Sequence, residues 1–462
     1  MINLLAIVKG YCWWTRFKSL ALVCIVAINF VYVFYPYAAA KALISCATLL
    51  LLALSLPYAG RGNKWVSVTL FVIGAYLMLI SGAGAADWME AVIKNTGLLV
   101  LLIVVPLLGI PLKSAGYVQV LDVMASNYMQ KNYQLYWIPG LFSHILGFFM
   151  NIGSVPLAYE ITARGKVAQR AALLARTLSR GTGAIFIWSP STVAVALVLE
   201  YLQVPWTGYF LLGFAFAVTA LVWGYLTEVL VNLKNKVYDT PNAVSPGGAK
   251  RPVHLPSLMQ IIVYMALFLL MIMLIDLCTP ISIIAVIPMV AVTMPALWLV
   301  ISGHRGMIKS AYVEHFVTKA HQHDGEVVLF VAAGFFSSAL ILSGWSDGIC
   351  NYIMNFAGHS NASIAFTILG AIVLASLVGI HPMITVSTFA TSLDVSSLGF
   401  GPVYLALLLA GGWSLGSIIS PIAGNVLIVA SVTGGKPMEI VCNNLLHACL
   451  VFATIVIFMA LI

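Results

Sequence analysis

Residues 377–393 read LVGIHPMITVSTFATSL, and residues 411–427 read GGWSLGSIISPIAGNVL. Polar residues, Gly and Pro stand here inside a run that otherwise suits a bilayer interior. The first half of the chain carries a counterpart, FFMNIGSVPLAYE at 148–160 followed by RGTGAIFIWSPSTVAVALVLE at 180–200. In each copy a break ending in Pro (Pro156, Pro382) precedes a long apolar segment broken at Ser-Pro (Ser189-Pro190, Ser420-Pro421). The two Ser-Pro pairs lie 231 residues apart, from Pro190 to Pro421. A membrane segment interrupted at corresponding places in two halves is the sequence pointer to a transporter's binding site.

Composition sets the class. Of 462 residues, 62% are hydrophobic and only 8% charged, with a mean hydropathy of +1.04. A soluble domain of this length does not tolerate so little charge, so the expected fold is an all-α polytopic membrane protein. A β-barrel would show short alternating strands rather than unbroken apolar runs. The net charge of +8 sits at the flanks of those runs, where lipid headgroups and insertion topology explain it and no nucleic-acid partner is needed. Seven Cys (Cys12, Cys24, Cys46, Cys278, Cys350, Cys442, Cys449) are scattered without CxxC spacing and read as small buried hydrophobes. With no clean cleavage site after a short apolar core, the first apolar run reads as a retained span and not a signal peptide.

A bilayer crossing needs about 20 apolar residues, which yields about eleven spans plus two shorter re-entrant hairpins. The spans fall near 19–39, 42–60, 64–84, 92–112, 181–201, 208–232, 256–276, 279–301, 326–343, 402–432 and 438–462. They group as an N-terminal span (1–40), a first repeat (41–233) and a second repeat (256–462), joined by a polar cytoplasmic linker (234–255). The first repeat holds a hairpin at 136–162 and a broken helix at 181–201; the second holds a hairpin at 362–395 and a broken helix at 402–432. With the N-terminus cytoplasmic, only Lys41 and Lys94 of the 22 basic residues fall outside, as the positive-inside rule asks. Arg176 and Arg180 are counted here with an inner-loop basic run, 164–180, read as an inner-surface helix. Segment 136–162 has basic flanks on both sides and too few residues for two crossings, so it is re-entrant. Five spans per repeat after a lone first helix invert the second copy, and the C-terminus falls outside.

In each Ser-Pro pair, Ser suits an N-cap and Pro the first position of a new helix, which then starts at mid-membrane with free N–H groups. Two such positive ends suit an anion, and carbonyls of the unwound turns suit a cation. A kink with the Ser satisfied by a carbonyl one turn back is the plain alternative. The candidate substrate- and ion-binding residues are Asn151, Gly153, Ser154 and Pro156 at the first tip, and Ser189, Pro190, Ser191 and Thr192 at the first break. In the second half they are His381, Pro382, Thr385 and Ser387, followed by Ser420, Pro421, Gly424 and Asn425. His381 reads equally as a proton carrier and as a residue shaping its turn. His304, His315, His321 and His323, with Glu314 and Asp324, read as a solvated connector rather than a metal site.

On these hairpins and broken helices, the chain resembles the ion transporter superfamily, the group that contains the divalent anion/sodium and dicarboxylate/citrate–sodium symporters. The resemblance runs over nearly the whole length. It implies elevator-type alternating access, a homodimer, and a site made by the tips Asn151–Pro156 and Gly379–Ser387 with the turns Trp188–Thr192 and Ile419–Asn425. The tips read NIGSVP and GIHPMITVS, without the Ser-Asn-Thr signature of the dicarboxylate symporters. The expected function is therefore a secondary active transporter of the inner membrane that moves a small organic anion, a carboxylate by class, with sodium or protons. No catalytic residue and no cofactor is expected, nor any metal beyond sodium at the tip and turn carbonyls. No Lys or Arg is expected at membrane depth. Competing readings are an exporter or lipid-carrier flippase on the same scaffold, a membrane-embedded enzyme using His144, Glu160 and His381, and a structural assembly subunit.

Overall fold

The computed structural model describes residues 13–114, 116–129, 131–163, 170–234, 252–319, 323–358 and 360–462. Lys9, Cys12, Arg164, Lys166, His321 and linker residues 235–251 lie outside the described residues. Among those described, the regular structure is helical and contains no strand. A bilayer leaves no water for backbone polar groups, and helices satisfy them within one segment. Twelve segments are long and apolar enough to cross a membrane. Eleven of the twelve coincide with the runs expected as spans, and the twelfth, Tyr133–Thr162, covers the run expected as the first hairpin and is two helices that turn at Asn151.

The chain opens with α1 (Trp13–Phe34), α2 (Ala38–Ser55) and α3 (Arg61–Ile80). Then come α4 (Ala85–Ile93), α5 (Thr96–Val104) and α6 (Ile110–Ser114), the last two joined by a tight turn containing Pro106. Helix α7 (Tyr117–Tyr128) follows, between the fourth expected span and the first expected hairpin. The first hairpin is α8 (Asn132–Met150) and α9 (Ser154–Thr162), and the first broken segment is α10 (Ala171–Trp188) with α11 (Val193–Tyr201). Helix α12 (Trp206–Lys234) closes this half.

The second half runs α13 (Leu255–Cys278), α14 (Ile283–Ile301), α15 (Ile308–Glu314), α16 (Asp324–Leu342) and α17 (Trp345–Ala357). The second hairpin is α18 (Asn361–Leu377) with α19 (Pro382–Ser392); the second broken segment is α20 (Pro402–Ile419) with α21 (Gly424–Thr433). Helix α22 (Pro437–Ala460) ends the chain.

The broken segments form the centre. The apolar window of Ala171–Tyr201 is 100% buried, against 22% for α13, which presents its apolar side chains where lipid would be. Small residues let the central backbones approach. A Cβ on Gly181 would collide with the Gly140 carbonyl, so only Gly lets α8 and α10 meet there. Ser414 Oγ donates to Gly183 O across α20 and α10 at 2.8 Å, and Trp223 Nε1 donates to Thr454 Oγ1 across α12 and α22 at 2.9 Å. Each bond joins residues 231 apart, the offset of the Ser-Pro copies.

Several expectations need correction. Helix α10 begins at Ala171 rather than near 181, so Arg176 and Arg180 lie inside the bundle and do not sit on an inner-surface helix. They are tolerated because Glu228 of α12 pairs with them. Lys18 is likewise a residue of α1, buried and paired with Asp324 at the start of α16. His315 is not solvated; it is buried, and its Nε2–H donates to Ile103 O at 2.6 Å.

Candidate functional site

The two breaks share a pattern and differ in chemistry. At the first, Ser189 ends α10, Pro190 and Ser191 form the turn, and Thr192 caps α11 by accepting from Val195 N at 3.4 Å. Pro190 is therefore not the first residue of the new helix. A Pro needs no N–H partner, and the turn uses that property to leave α10. Every side-chain hydroxyl here has a partner. Ser191 Oγ donates to Phe148 O at 2.6 Å, Ser189 Oγ lies 2.8 Å from Ser191 Oγ, and Thr192 Oγ1 donates to Ser189 O at 2.8 Å. The carbonyls released by the last turn of α10 are taken by α12: Tyr209 Oη donates to Ile187 O at 2.5 Å and Trp206 Nε1 to Trp188 O at 3.2 Å. The expectation that these carbonyls stay open for a cation is thus corrected. The first break is a sealed joint.

The second break is open. Ser420 ends α20, Pro421 and Ile422 form the turn, and Ala423 stands at the N-cap of α21, where it has no side chain to offer. Pro421 again precedes the new helix, which starts at Gly424. The first N–H groups of α21 thus lack the side-chain cap that α11 has, at the positive end of a helix dipole. Ser420 and Asn425 are 0% and 2% exposed, yet Ser420 Oγ and Asn425 Oδ1 have no hydrogen-bond partner among the described residues. Asn425 Nδ2 donates to Ser179 O at 3.1 Å, and a carbonyl can only accept, so the amide orientation is determined. The unpartnered atom is an acceptor. Buried polar atoms in folded proteins are nearly always bonded, and exceptions point to a missing ligand, ion or water.

Both hairpin tips reach this second break. A Cβ on Gly424 would lie 3.1 Å from Ile152 Cδ1 of the first tip, and one on Gly379 would lie 3.6 Å from Ile422 Cδ1. At the first tip Asn151 takes a left-handed φ of 53°, its Oδ1 accepting from Ile152 N at 2.9 Å. Gly153 and Pro156 are exposed beside it, whereas Ser154 is buried and donates to Ser143 O at 3.3 Å. At the second tip Gly379 turns the chain with φ of 97°, and Pro382 is the first residue of α19, as its missing N–H favours. His381 caps that helix: its Nδ1 accepts from Met383 N at 3.1 Å, and its ring meets Trp413 edge-on at 5.8 Å. Thr385 and Ser387 return their hydroxyls to Pro382 O and Ile384 O of their own helix, both at 3.1 Å. The structure therefore brings the first tip to Gly424 through Ile152 and the second tip, at Gly379, to Ile422, while Ser189, Ser191 and Thr192 bond within the first break and to α8.

These features sit in a known kind of scaffold. The fold is similar to that of two solved transporters. The YdaH transporter of Alcanivorax borkumensis, whose crystal structure is described as revealing an unusual topology, matches with a TM-score of 0.57 at 15% identity over 86% of this chain and 97% of that one. MtrF of Neisseria gonorrhoeae, described as illuminating a class of antimetabolite efflux pumps, matches with a TM-score of 0.55 at 15% identity over 87% and 97%. No protein-family model and no curated protein matches the sequence. This likeness is one of fold.

The sequence reading missed the polar network behind the second break. Arg180 is 4% exposed at membrane depth, which overturns the expectation that no Lys or Arg lies there. Asn444 of α22 donates Nδ2 to Ser179 Oγ at 3.1 Å and to Ile418 O at 3.3 Å, while its Oδ1 accepts from Arg180 Nε at 3.0 Å. His447, one turn on, is buried with Nδ1 unpartnered among the described residues. The available signal was Glu228, a lone acid within the apolar run of α12. Among the described residues, no three His, Cys, Asp or Glu side chains are placed to hold a metal.

Proposed function

We propose that this multi-pass membrane protein is an ion-coupled secondary active transporter for a small organic anion, a carboxylate by class. The observation that carries the reading is the second break: an uncapped helix start, two buried polar atoms without partners, and both hairpin tips against it. A carboxylate suits the free N–H groups of α21, and Asn425 Oδ1 suits a sodium ion, or a proton or hydroxyl donor on the cargo. The ion transporter superfamily, elevator-type movement, a homodimer, and an inner-membrane setting with a cytoplasmic N-terminus and an outer C-terminus belong to the same proposal. The packing of α10 against α20, joined by the Ser414–Gly183 hydrogen bond, supports it, because inverted repeats place their site where the two halves meet.

Export is the second reading, favoured by the likeness of fold to an efflux pump. An embedded enzyme is less well supported. His144 donates through Nδ1 to Gly181 O at 3.0 Å and accepts through Nε2 from Trp188 Nε1 at 3.2 Å, which leaves neither ring nitrogen for acid–base work.

The test is unfolding of the purified protein with a panel of small carboxylates, with and without sodium, at two pH values. A specific ligand raises apparent stability by mass action. A shift with one acid that Ser420→Ala and Asn425→Ala both abolish is the expected result. No shift with any acid on folded protein refutes the anion reading, and counterflow in liposomes then decides direction for whatever does bind.

A further inference from the structure

We propose that a cup between α1, α3 and α16, apart from both breaks, binds a primary ammonium group, and that the headgroup of an ethanolamine phospholipid supplies it.

Four spans end at one place. Helices α1 and α16 begin there, α2 runs out through the short turn Leu56–Tyr58, and α3 starts at Arg61. Between these ends lies a cavity of about 510 Å³, a volume typical of small-ligand sites. Its lining includes Trp14 and Lys18 of α1, Tyr58 and Asn63, and Asp324 and Glu326 of α16. The ends of apolar spans lie at the depth of lipid headgroups, where Trp and Tyr are favoured.

The lining selects a cation. Lys18 is its only base and is engaged: Nζ donates to Asp324 Oδ1 and stands 5.4 Å from the centre of the Tyr58 ring. Those two charges cancel. Glu326 is half-buried and has no hydrogen-bond or ion-pair partner among the described residues, so the lining presents one carboxylate in excess. That excess favours a cation and disfavours an anion. The Trp14 and Tyr58 rings, 6.4 Å apart and tilted by 44°, form a wall whose faces attract an ammonium group. A Cβ on Gly325 would lie 2.6 Å from Asn63 Nδ2, so glycine there lets the Asn63 amide reach the start of α16, one residue from Glu326. Carboxylate and amide oxygens accept hydrogen bonds, and a primary ammonium has three N–H groups to give them. A trimethylammonium has none.

The surroundings suit the rest of a phospholipid. Arg16, Arg61 and Lys64 each adjoin a lining residue in the chain and are exposed, as bases that meet a phosphate are. Phe17 and Leu20 of α1 and Trp65 of α3 are exposed apolar side chains next to them in sequence, on the faces where acyl chains would lie.

The test is unfolding of the purified full-length chain in detergent with phosphatidylethanolamine, phosphatidylcholine or phosphatidylglycerol of matched acyl chains, and separately with ethanolamine. Phosphatidylethanolamine is expected to raise the unfolding temperature. Phosphatidylcholine, equally zwitterionic but without N–H groups, and phosphatidylglycerol, without an ammonium, should do so little. Glu326→Gln should weaken the ethanolamine lipid roughly tenfold, as for the loss of one hydrogen bond to a charged group, and leave unfolding without lipid nearly unchanged. Should that variant fail to fold, Tyr58→Leu, at a residue 60% exposed, removes half of the aromatic wall and should also weaken the lipid. A Glu326-dependent shift with ethanolamine equal to that with the lipid supports the ammonium site and overturns the lipid as its source. No shift with either, equal shifts with the ethanolamine and choline lipids, or a shift that the variant leaves intact overturns the inference. None of these results bears on the second break.

Discussion

The serines at the two breaks should respond to removal in opposite ways, although their sequences look alike. Ser191 Oγ donates to Phe148 O and is within 2.8 Å of Ser189 Oγ. Phe148 lies in the last turn of α8, where Ile152 N, its i+4 donor in a continuing helix, turns instead to Asn151 Oδ1. Ser191→Ala therefore loses two bonds worth about 0.5–1.5 kcal/mol each and leaves a buried carbonyl bare, for a total of about 2–3 kcal/mol. Ser420→Ala removes a buried hydroxyl that bonds to nothing among the described residues, so without ligand its effect should fall between zero and a gain of about 1 kcal/mol. With ligand at 100 times its dissociation constant, wild type gains about 2.7 kcal/mol; a tenfold loss of affinity in Ser420→Ala lowers that to about 1.4 kcal/mol. Unfolding of both variants in detergent, followed by tryptophan fluorescence, with and without the acid selected by the screen, supplies all four values. If Ser420→Ala without ligand is as destabilised as Ser191→Ala, then Ser420 holds structure and the second break is not the open one.

Glu228→Gln should cost about 3–5 kcal/mol, since it strips the buried guanidiniums of Arg176 and Arg180 of their carboxylate, and the yield of folded protein on a sizing column reads this. The paired change Arg176→Met with Glu228→Leu should be far milder, because it removes one charge of each sign. Gly181→Ala should abolish folded protein by driving a Cβ into the Gly140 carbonyl, whereas Gly153→Ala, with open space beside it, should leave yield and unfolding unchanged. In the 394–397 turn the Ser396 hydroxyl and amide hold the Asp394 carboxyl below its usual range. The ordering they provide is present above the ordinary carboxylate range and lost as pH falls through the lowered value; Asp394→Asn should remove that pH dependence of amide exchange at Ser396.

Much of the membrane architecture is written locally. Apolar run length and the placement of basic residues are enough for the polytopic helical class and for eleven spans. The paired Ser-Pro breaks and the preceding tips are legible because Pro and Gly act on their own backbone, whatever surrounds them. The positions of α8–α11 and α18–α21 follow from that chemistry to within a few residues, except at the start of α10. That exception is instructive. Arg176 and Arg180 read as loop residues because apolar windows penalise charge, and the partner that admits them, Glu228, comes from another helix.

The same reason separates the two breaks. SPST at 189–192 and SPIAGN at 420–425 offer hydroxyls and a proline alike. Whether a released carbonyl or hydroxyl is free depends on what packs against it. Trp206, Tyr209 and Phe148 close the first break, and no side chain among those described closes Ser420 Oγ or Asn425 Oδ1 at the second. Sequence alone determined where the chain stops being helical, because that is a property of backbone and near neighbours. Only the tertiary structure decided which of those stops leaves polar atoms without a protein partner among the described residues, because satisfying a buried polar group is done by residues far away in the chain.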